Sequence, residues 1–242
     1  MARFVQSIGT IEKSGSDTAI YTEIIGVDST LHISYIPVDM KNDECQAIRG
    51  RPREFCVDNA LAAALGVFWS KGYEGASLTD LTEAMGITRP SLYAAFGNKE
   101  ALFRKALDLY ETEKLDYIRA AMDAPTAREV AERLLRGGLE NQTNSCGPRG
   151  CLRVISSVAC GGEAESIREE VLARGAFAKL ALIKRMERAK AEGDLPADVD
   201  VEGLTGFLVA ILQGIAVQAG AGASRAELER VVNTSLMTWP SK

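Results

Sequence analysis

Residues 77–99 of the chain read SLTDLTEAMGITRPSLYAAFGNK, and this stretch predicts two short helices joined at a glycine. Ser77 and Asp80 have the spacing of a capping box, in which the serine hydroxyl accepts a hydrogen bond from a backbone N–H at the start of a helix. Apolar residues then repeat at helical spacing up to Gly86, which suits the left-handed turn that ends a helix. The first helix is therefore expected to begin just after the serine and to last about two turns.

A second short helix is expected to follow, with Thr88 as its cap and Pro90 in its first turn, where a missing N–H costs nothing. Leu92 and Phe96 share one face of this helix, while Ala94 and its neighbours give the opposite face small or uncharged side chains. Two helices at a steep angle around a glycine-containing turn are typical of a DNA-binding helix-turn-helix, whose second helix enters the major groove.

The charge pattern of this stretch agrees with a surface that faces phosphates. Residues 84–99 contain no acidic side chain, whereas Arg89 and Lys99 are both basic. The alternative is that any small helical domain can contain a two-helix hairpin with a glycine turn, so the motif alone is a hypothesis.

Residues 53–110 resemble the DNA-binding domain of the tetracycline-repressor (TetR/AcrR) family of bacterial regulators. The resemblance covers about a quarter of the chain. The matching positions, in register along the family pattern, are Gly72-Tyr73, Leu81, Met85-Gly86-Ile87, Leu92-Tyr93, Phe96, Asn98-Lys99-Glu100 and Leu102-Phe103.

The resemblance implies an all-α protein with an N-terminal helix-turn-helix domain, followed by a helical domain for ligand binding and dimerisation. It also implies DNA contacts, with the tyrosine and the lysine on phosphates. The residues that match the family's DNA contacts are Thr79, Thr88, Arg89, Ser91, Tyr93 and Lys99. Lys99 follows a cap at a helix N-terminus, where backbone N–H groups also attract phosphate, so it should position the protein. Arg89 and Ser91 are the candidates for base edges.

Two segments precede this domain. Residues 49–53, RGRPR, form a basic arm in which Arg51 and Arg53 are predicted to reach the minor groove; the alternative is a solvated linker. Residues 1–39 contain two short strand-like runs and depart from the family pattern, so they are either an over-long gene prediction beginning before Met40, a flexible arm or a small hairpin.

Helical patterns and capping residues account for the rest of the chain. One helix is expected before the motif, over 57–71, and one long helix after it, from Asn98 to about 124. Further helices are expected over 127–142, 151–160, 163–192, 201–219 and 225–237, with a capping box at Thr126 and Glu129. The predicted domains are an extension at 1–48, a DNA-binding domain at 49–110 and an effector-binding and dimerisation domain at 111–242.

Residues 203–223 carry no charge, and that length is enough to span a bilayer. Five glycines and two glutamines argue against a membrane helix, and we expect no membrane association. Gly206, Ala210 and Gly214 instead form a row of small residues that another helix can approach closely. The family resemblance implies a dimer through the last two helices, which suits a palindromic operator.

Five cysteines and no export signal indicate a reducing, cytoplasmic environment. Cys146 and Cys151 flank a short turn, so a thiol-based redox or electrophile sensor is an alternative function; buried inert thiols are the simpler interpretation. No metal site or cofactor is predicted, because Cys160 lies out of phase with Cys151 and the single histidine, His32, lies outside every predicted helix.

The resemblance implies an effector pocket among the middle helices, for which the candidate residues are Tyr117, Arg153, Ser156, Phe177 and Gln213. A net charge of -5 and a pI near 5.2 argue against a nonspecific nucleic-acid coat but not against a specific operator binder. No nucleophile–base pair or phosphate loop suggests an enzyme. We therefore predict a cytoplasmic, homodimeric transcriptional repressor that a small-molecule effector releases from its operator; an activator would share the same motif.

Overall fold

The computed structural model describes residues 55–144, 147–158, 161 and 164–240. All regular secondary structure within these ranges is helical. The helices are α1 (Val57–Gly75), α2 (Leu78–Met85), α3 (Arg89–Phe96), α4 (Lys99–Lys114), α5 (Asp116–Met122), α6 (Ala127–Thr143), α7 (Leu152–Val158), α8 (Glu165–Ala191), α9 (Val201–Gly220) and α10 (Arg225–Met237). The predicted N-terminal strands, the Arg51 and Arg53 arm and Cys146 lie outside the described residues.

The predicted capping residues set the ends of the helices around the motif. Ser77 accepts a hydrogen bond from the Asp80 amide at 3.0 Å, and the Asp80 carboxylate accepts one from the Ser77 amide at 2.9 Å. Gly86 ends α2 with a φ of 64°, in the left-handed region that favours glycine. Thr88 and Asn98 cap α3 and α4 through their side chains. The all-α expectation and the helix-turn-helix are thus confirmed.

The prediction of one long helix from Asn98 to about residue 124 is wrong. The helix is interrupted at Leu115 (φ -111°, ψ 7°), and a separate helix, α5, begins at Asp116. Leu115 packs against the hydrophobic core around α1 and α4, whereas Tyr117 and Ile118 pack against a second core. The break lets the chain pass from one core to the other, a long-range requirement that helical periodicity does not contain.

The expected capping box at Thr126 is only half formed. The Thr126 hydroxyl accepts from the Glu129 amide at 3.2 Å, but the Glu129 carboxylate pairs with Arg133 at 3.5 Å. The Ala127 amide, the first of α6, instead donates to the carboxylate of Asp194, which follows α8. The N-terminus of α6 is therefore stabilised by one local hydrogen bond and by a contact with a distant segment, which satisfies a different backbone donor.

Two hydrophobic cores organise the described residues. The first core lies within α1 to α4 and also takes in Leu152 of α7 with Ile167 and Val171 of α8. The second core is formed by α5, α6, α9, α10 and the C-terminal half of α8. Helices α7 and α8 therefore join the helix-turn-helix to the rest of the fold.

Trp69 of α1 strengthens this junction. Its indole Nε1 donates a hydrogen bond of 2.9 Å to the carbonyl of Gly150, in the segment between α6 and α7. Its ring packs edge-on against Tyr110 of α4, with 5.0 Å between centroids. The indole thus links helices α1 and α4 to the chain that enters α7.

Candidate DNA interface and effector cavity

The predicted DNA-contacting residues of the motif lie at the solvent-facing surface of α2, α3 and the start of α4. Thr79, Thr88, Arg89 and Tyr93 are exposed, and Ser91 is partly buried. The opposite side of α3 is anchored in the first core through Leu92 and Phe96, which are 0% and 4% exposed. Burial of the apolar face fixes the rotation of α3 and leaves its small, uncharged face to solvent, as the helical spacing predicts.

Hydrogen bonds already hold four of these side chains in place. Arg89 Nη2 donates to Thr79 Oγ1 at 2.9 Å, which connects the first residue of α3 to α2. The hydroxyls of Thr88 and Ser91 lie 2.9 Å apart. The polar surface of the motif is therefore preorganised in the absence of DNA, so fewer side chains must be ordered on binding.

Lys99 stands at the first position of α4, directly after the Asn98 cap. Its ammonium lies 4.6 Å from the centre of the Tyr73 ring, within the range of a cation–π interaction. Partial burial lowers the pKa of Lys99 from its ordinary value, while nearby Glu74 acts in the opposite direction. The aromatic ring thus restrains a positive charge beside a helix N-terminus, where both favour an anion.

A cavity of about 550 Å³ opens among α5, α6, α7, α8 and α9, in the range of small-molecule sites. Tyr117, Arg153 and Gln213 from the predicted set line it. The other two predicted residues do not line the cavity: Ser156 is buried at 1% exposure, and Phe177 is 54% exposed on α8. Ser157, one position along α7, faces the cavity instead.

Three further polar or charged lining residues were not assigned to the cavity by the sequence analysis. Gln142 in the last turn of α6, Cys151 just before α7 and Lys179 of α8 all contribute to the wall. Gln142 is only 4% exposed and follows the buried Leu135 and Leu139 at helical spacing. A polar residue in an apolar stripe is the signal that could have identified it.

The cavity wall is mainly apolar, but its charged residues have one sign. Arg153 and Lys179 line it, and no aspartate or glutamate does so within the described part of the chain. Burial raises the pKa of Tyr117; Cys151 acts in the same direction and Arg153 acts against it. These three side chains are therefore close neighbours in the wall. In the described ranges, no group of three histidine, cysteine or acidic residues could hold a metal ion.

An ion-pair network runs along α4 from Asp108 and Glu111 to Glu100 in its first turn. Arg174 of α8 donates hydrogen bonds of 2.7 and 2.8 Å to Asp108 and Glu111 of α4, and one of 2.7 Å to Glu170. Arg104 of α4 bridges Glu170 and Glu100 at 2.6 Å each. The network fastens α8 to the helix whose first residue is Lys99.

Helix α9 exposes an uncharged face. Phe207 and Val217 are 41% and 58% exposed, and a side-chain atom added at Gly206 or Gly214 would meet open space. By length and composition this helix is a candidate membrane span. Only 28% of its most apolar 18-residue window is buried within one chain, so most of that window is open to a partner. Met237 of the neighbouring α10 is 83% exposed. Both terminal helices therefore present apolar surface at the outside of the single chain.

Comparison with known proteins identifies the family. The model of bacterial regulatory proteins of the tetR family matches residues 60–106, and that of the tetracyclin repressor-like C-terminal domain matches residues 130–235. The HTH-type transcriptional repressor ComR of Escherichia coli (strain K12) is 34% identical over 212 residues, which cover 83% of this chain and 98% of ComR.

Solved structures agree with this assignment. A cysteine mutant of the TetR family transcriptional regulator CifR, complexed with 26-bp double-strand operator DNA, is 46% identical with a TM-score of 0.75; the match covers 78% of this chain and all of that chain. A TetR regulator from Rhodococcus sp. RHA1 is 38% identical with a TM-score of 0.53 over 76% of this chain and 98% of that one. The two domain matches, the near-complete alignment with ComR and the shared fold show that the chain belongs to the TetR family of bacterial transcription regulators.

Proposed function

We propose that this protein is a homodimeric repressor that binds an operator through α2, α3 and the start of α4 and leaves it when a small molecule fills the cavity. The observation that carries the proposal is the exposed, prearranged face of the helix-turn-helix, with Arg89 and Lys99 at its edges. The relative CifR, whose structure contains operator DNA, supports a DNA partner. We assign the DNA-binding domain to 49–110 and the effector and dimerisation domain to 111–242, in a cytoplasmic protein without enzymatic activity.

Within the interface we give the side chains different roles. Arg89 and Ser91 would read base edges, since arginine on guanine is the commonest specific contact. Tyr93 and Lys99 would hold phosphates, and Thr79 and Thr88 would support the docking surface. Arg51 and Arg53, outside the described residues, would reach into the neighbouring minor groove.

The dimer would form through the uncharged face of α9 and the adjacent α10. Exposed Phe207 and Val217, with open space at Gly206 and Gly214, support close helix packing there. A two-fold dimer places two recognition helices on successive turns of a palindromic operator. An effector that binds one spacing of these helices better than another would shift the protein off DNA.

The first experiment is fluorescence anisotropy of the purified protein with the DNA immediately upstream of its own gene and with scrambled DNA at the same salt concentration. The proposal predicts tight binding to the upstream fragment and weak, salt-sensitive binding to the scrambled one. Equal affinity for both fragments, at every salt concentration tested, would contradict sequence-specific recognition at this site. Replacement of Arg89 by lysine is the matched control that keeps the charge but not the fork geometry.

A thiol-based sensor is the second candidate, and one observation favours it: Cys151 lines the effector cavity and is partly exposed. An electrophile or oxidant that reached the cavity would meet this thiol, and after oxidation Cys146 would be its partner in a disulfide. Operator binding would then fall after oxidant treatment in the native protein and persist in Cys151→Ser. Equal loss in both proteins would remove Cys151 from the mechanism.

A further inference from the structure

We infer that the cavity is built for an organic carboxylic acid with an apolar body and a hydroxyl group at a distance from the acid. The inference rests on the proposed function, because it names the chemical class of the effector that would occupy the same cavity. It follows from the charge of the wall, the hydrogen bonds that its polar groups lack, and the apolar surface between them.

The acid group would be recognised by Arg153. Its side chain is 19% exposed, and its only charged partner among the described residues is Glu111, whose Oε1 lies 3.8 Å from Arg153 Nε, beyond hydrogen-bonding distance. Glu111 accepts its short hydrogen bond, of 2.8 Å, from Arg174 instead. The guanidinium therefore retains a fork of N–H donors, which matches a carboxylate in two parallel hydrogen bonds.

The surroundings of Arg153 favour an anion. Lys179 is the second charged residue of the wall, and the described lining residues include no acidic side chain. Arg153 Nη2 also lies 3.1 Å from the position that a side chain at Gly175 would occupy. The glycine of α8 thus leaves room for the guanidinium at the wall. Glu111 offsets part of the charge of Arg153, and Lys179 is exposed, but the lining formed by the described residues carries only positive charge, which attracts a negative ligand in a mostly apolar environment.

The second polar contact would be made by Gln142. This residue lines the cavity at 4% exposure, and its amide oxygen accepts no hydrogen bond from the described residues. An unsatisfied buried amide oxygen costs free energy, and a hydroxyl donor on a ligand would remove that cost. The Tyr117 hydroxyl oxygen and the Gln142 side-chain nitrogen border the same place, because they lie 3.5 and 3.9 Å from the position that a side-chain carbon at Gly138 would occupy.

The body of the ligand would be apolar. Leu134, Leu182, Val209 and Leu212 are among the residues that line the wall. Burial of a hydrocarbon or aromatic body against them contributes affinity but does not orient the ligand. The two polar contacts determine its orientation. A free inorganic anion or a charged sugar would leave this apolar surface unused.

Binding of an acid at Arg153 would be felt by the helix that leads to DNA. Arg153 faces Glu111 of α4, and Glu111 belongs to the ion-pair network that extends to Glu100, next to Lys99. A carboxylate at Arg153 changes the electrostatic environment of Glu111. This gives the cavity a direct electrostatic contact with α4.

Isothermal titration calorimetry on the full chain tests the inference with para-hydroxycinnamate, para-hydroxyphenylpropionate and ω-hydroxydecanoate, each beside its methyl ester. At least one acid should bind, and its ester should bind about tenfold or more weakly, since hydrogen bonds to a charged group are lost. Arg153→Gln should abolish the preference for the acid, and Arg153→Lys should retain part of it. Arg136→Gln, on the exposed side of α6, is the control that should change neither affinity.

A second variant separates the two polar contacts. Gln142→Leu should weaken binding of ω-hydroxydecanoate but not of decanoate, because only the former has a hydroxyl to lose. Circular dichroism and thermal melting establish that each variant is folded. If Arg153→Gln does not fold, Arg153→Lys is used in its place. Binding of esters as tightly as acids, or binding of no acid in the panel, would overturn the inference.

Operator anisotropy in the presence of the same compounds keeps the two proposals apart. Release of DNA by a neutral ester but not by its acid would refute the acid class and leave the effector-responsive repressor standing. Tight binding of an acid with no effect on the operator complex would support the cavity assignment and contradict release by an effector there.

Discussion

Replacement of Lys99 by glutamine should weaken operator binding and make the affinity less dependent on salt concentration, because a phosphate contact is lost. The Lys99 ammonium lies over the Tyr73 ring at the start of α4, and we assign it a phosphate. Each phosphate contact adds about 0.9 to the slope of log K against log salt concentration, so the two lysines of a dimer add about 1.8. At 0.1 M salt, a tenfold dilution from 1 M, this corresponds to a loss of about 60-fold.

The cation–π contact sets a lower limit for this loss. If the ammonium leaves the Tyr73 ring when it contacts the phosphate, the cation–π contact stabilises only the DNA-free protein, by about 0.5 kcal/mol per subunit. Two subunits then reduce the loss caused by Lys99→Gln to about tenfold. The expected loss in affinity therefore lies between these two values, with the full change in slope.

Lys105→Gln is the matched control, because it removes the same charge from an exposed position of the same helix. Six residues along α4 place it about 9 Å further from the helix N-terminus. Fluorescence anisotropy with the bound upstream fragment, measured across a series of salt concentrations, gives both slopes. An equal change in slope for the two variants would show that net charge alone matters and would refute the assignment of Lys99 to a phosphate.

Four other predictions concern specificity, assembly, the junction and acid stability. Arg89→Ala should lose about 1–3 kcal/mol on the operator and little on scrambled DNA in the same anisotropy assay, whereas equal losses would exclude base readout. Val217→Glu should convert the dimer to a monomer in light scattering, because it buries a charge in the apolar face of α9; an unchanged dimer would place the interface elsewhere. Trp69→Phe keeps a ring but loses the hydrogen bond to the carbonyl before α7, so urea unfolding should show a loss of about 1 kcal/mol. Burial acts to raise the pKa of Glu170, but hydrogen bonds from Arg104 and Arg174 outweigh it and lower the pKa below 4.5. The carboxyl therefore binds a proton more readily in the unfolded chain than in the folded one. The free energy of unfolding should decrease as the pH is lowered below about 4.5. Arg104→Gln should make this decrease smaller in acid titrations.

Local chemistry made the helix-turn-helix predictable. Ser77, Thr88 and Asn98 each satisfy backbone donors within three residues, so the capping signal is complete in the sequence. Gly86 likewise needs only its own backbone conformation to end α2. The orientation of α3 also followed, because Leu92 and Phe96 define a single buried face.

Long-range packing decided what the sequence did not predict. The break at Leu115 separates two cores whose apolar residues continue one helical pattern. The cavity depends on the rotation of each helix: Ser157 lines it, but Ser156, about 100° around α7, is buried elsewhere. Gln142 lines an empty volume that exists only because five helices fail to close on one another. None of these facts is present in a single segment.

The first core has a consequence for the construction of hybrid regulators. Leu152, Ile167 and Val171 belong to that core although they follow the helix-turn-helix by dozens of residues. In a chimera joined after α4, the DNA-binding part would lose the α7 and α8 side chains that complete its core. The corresponding side chains of an unrelated ligand-binding domain would pack there instead. Exchange of sensing modules should therefore carry α7 and the first turns of α8 with the DNA-binding part, so that the junction moves to the middle of α8.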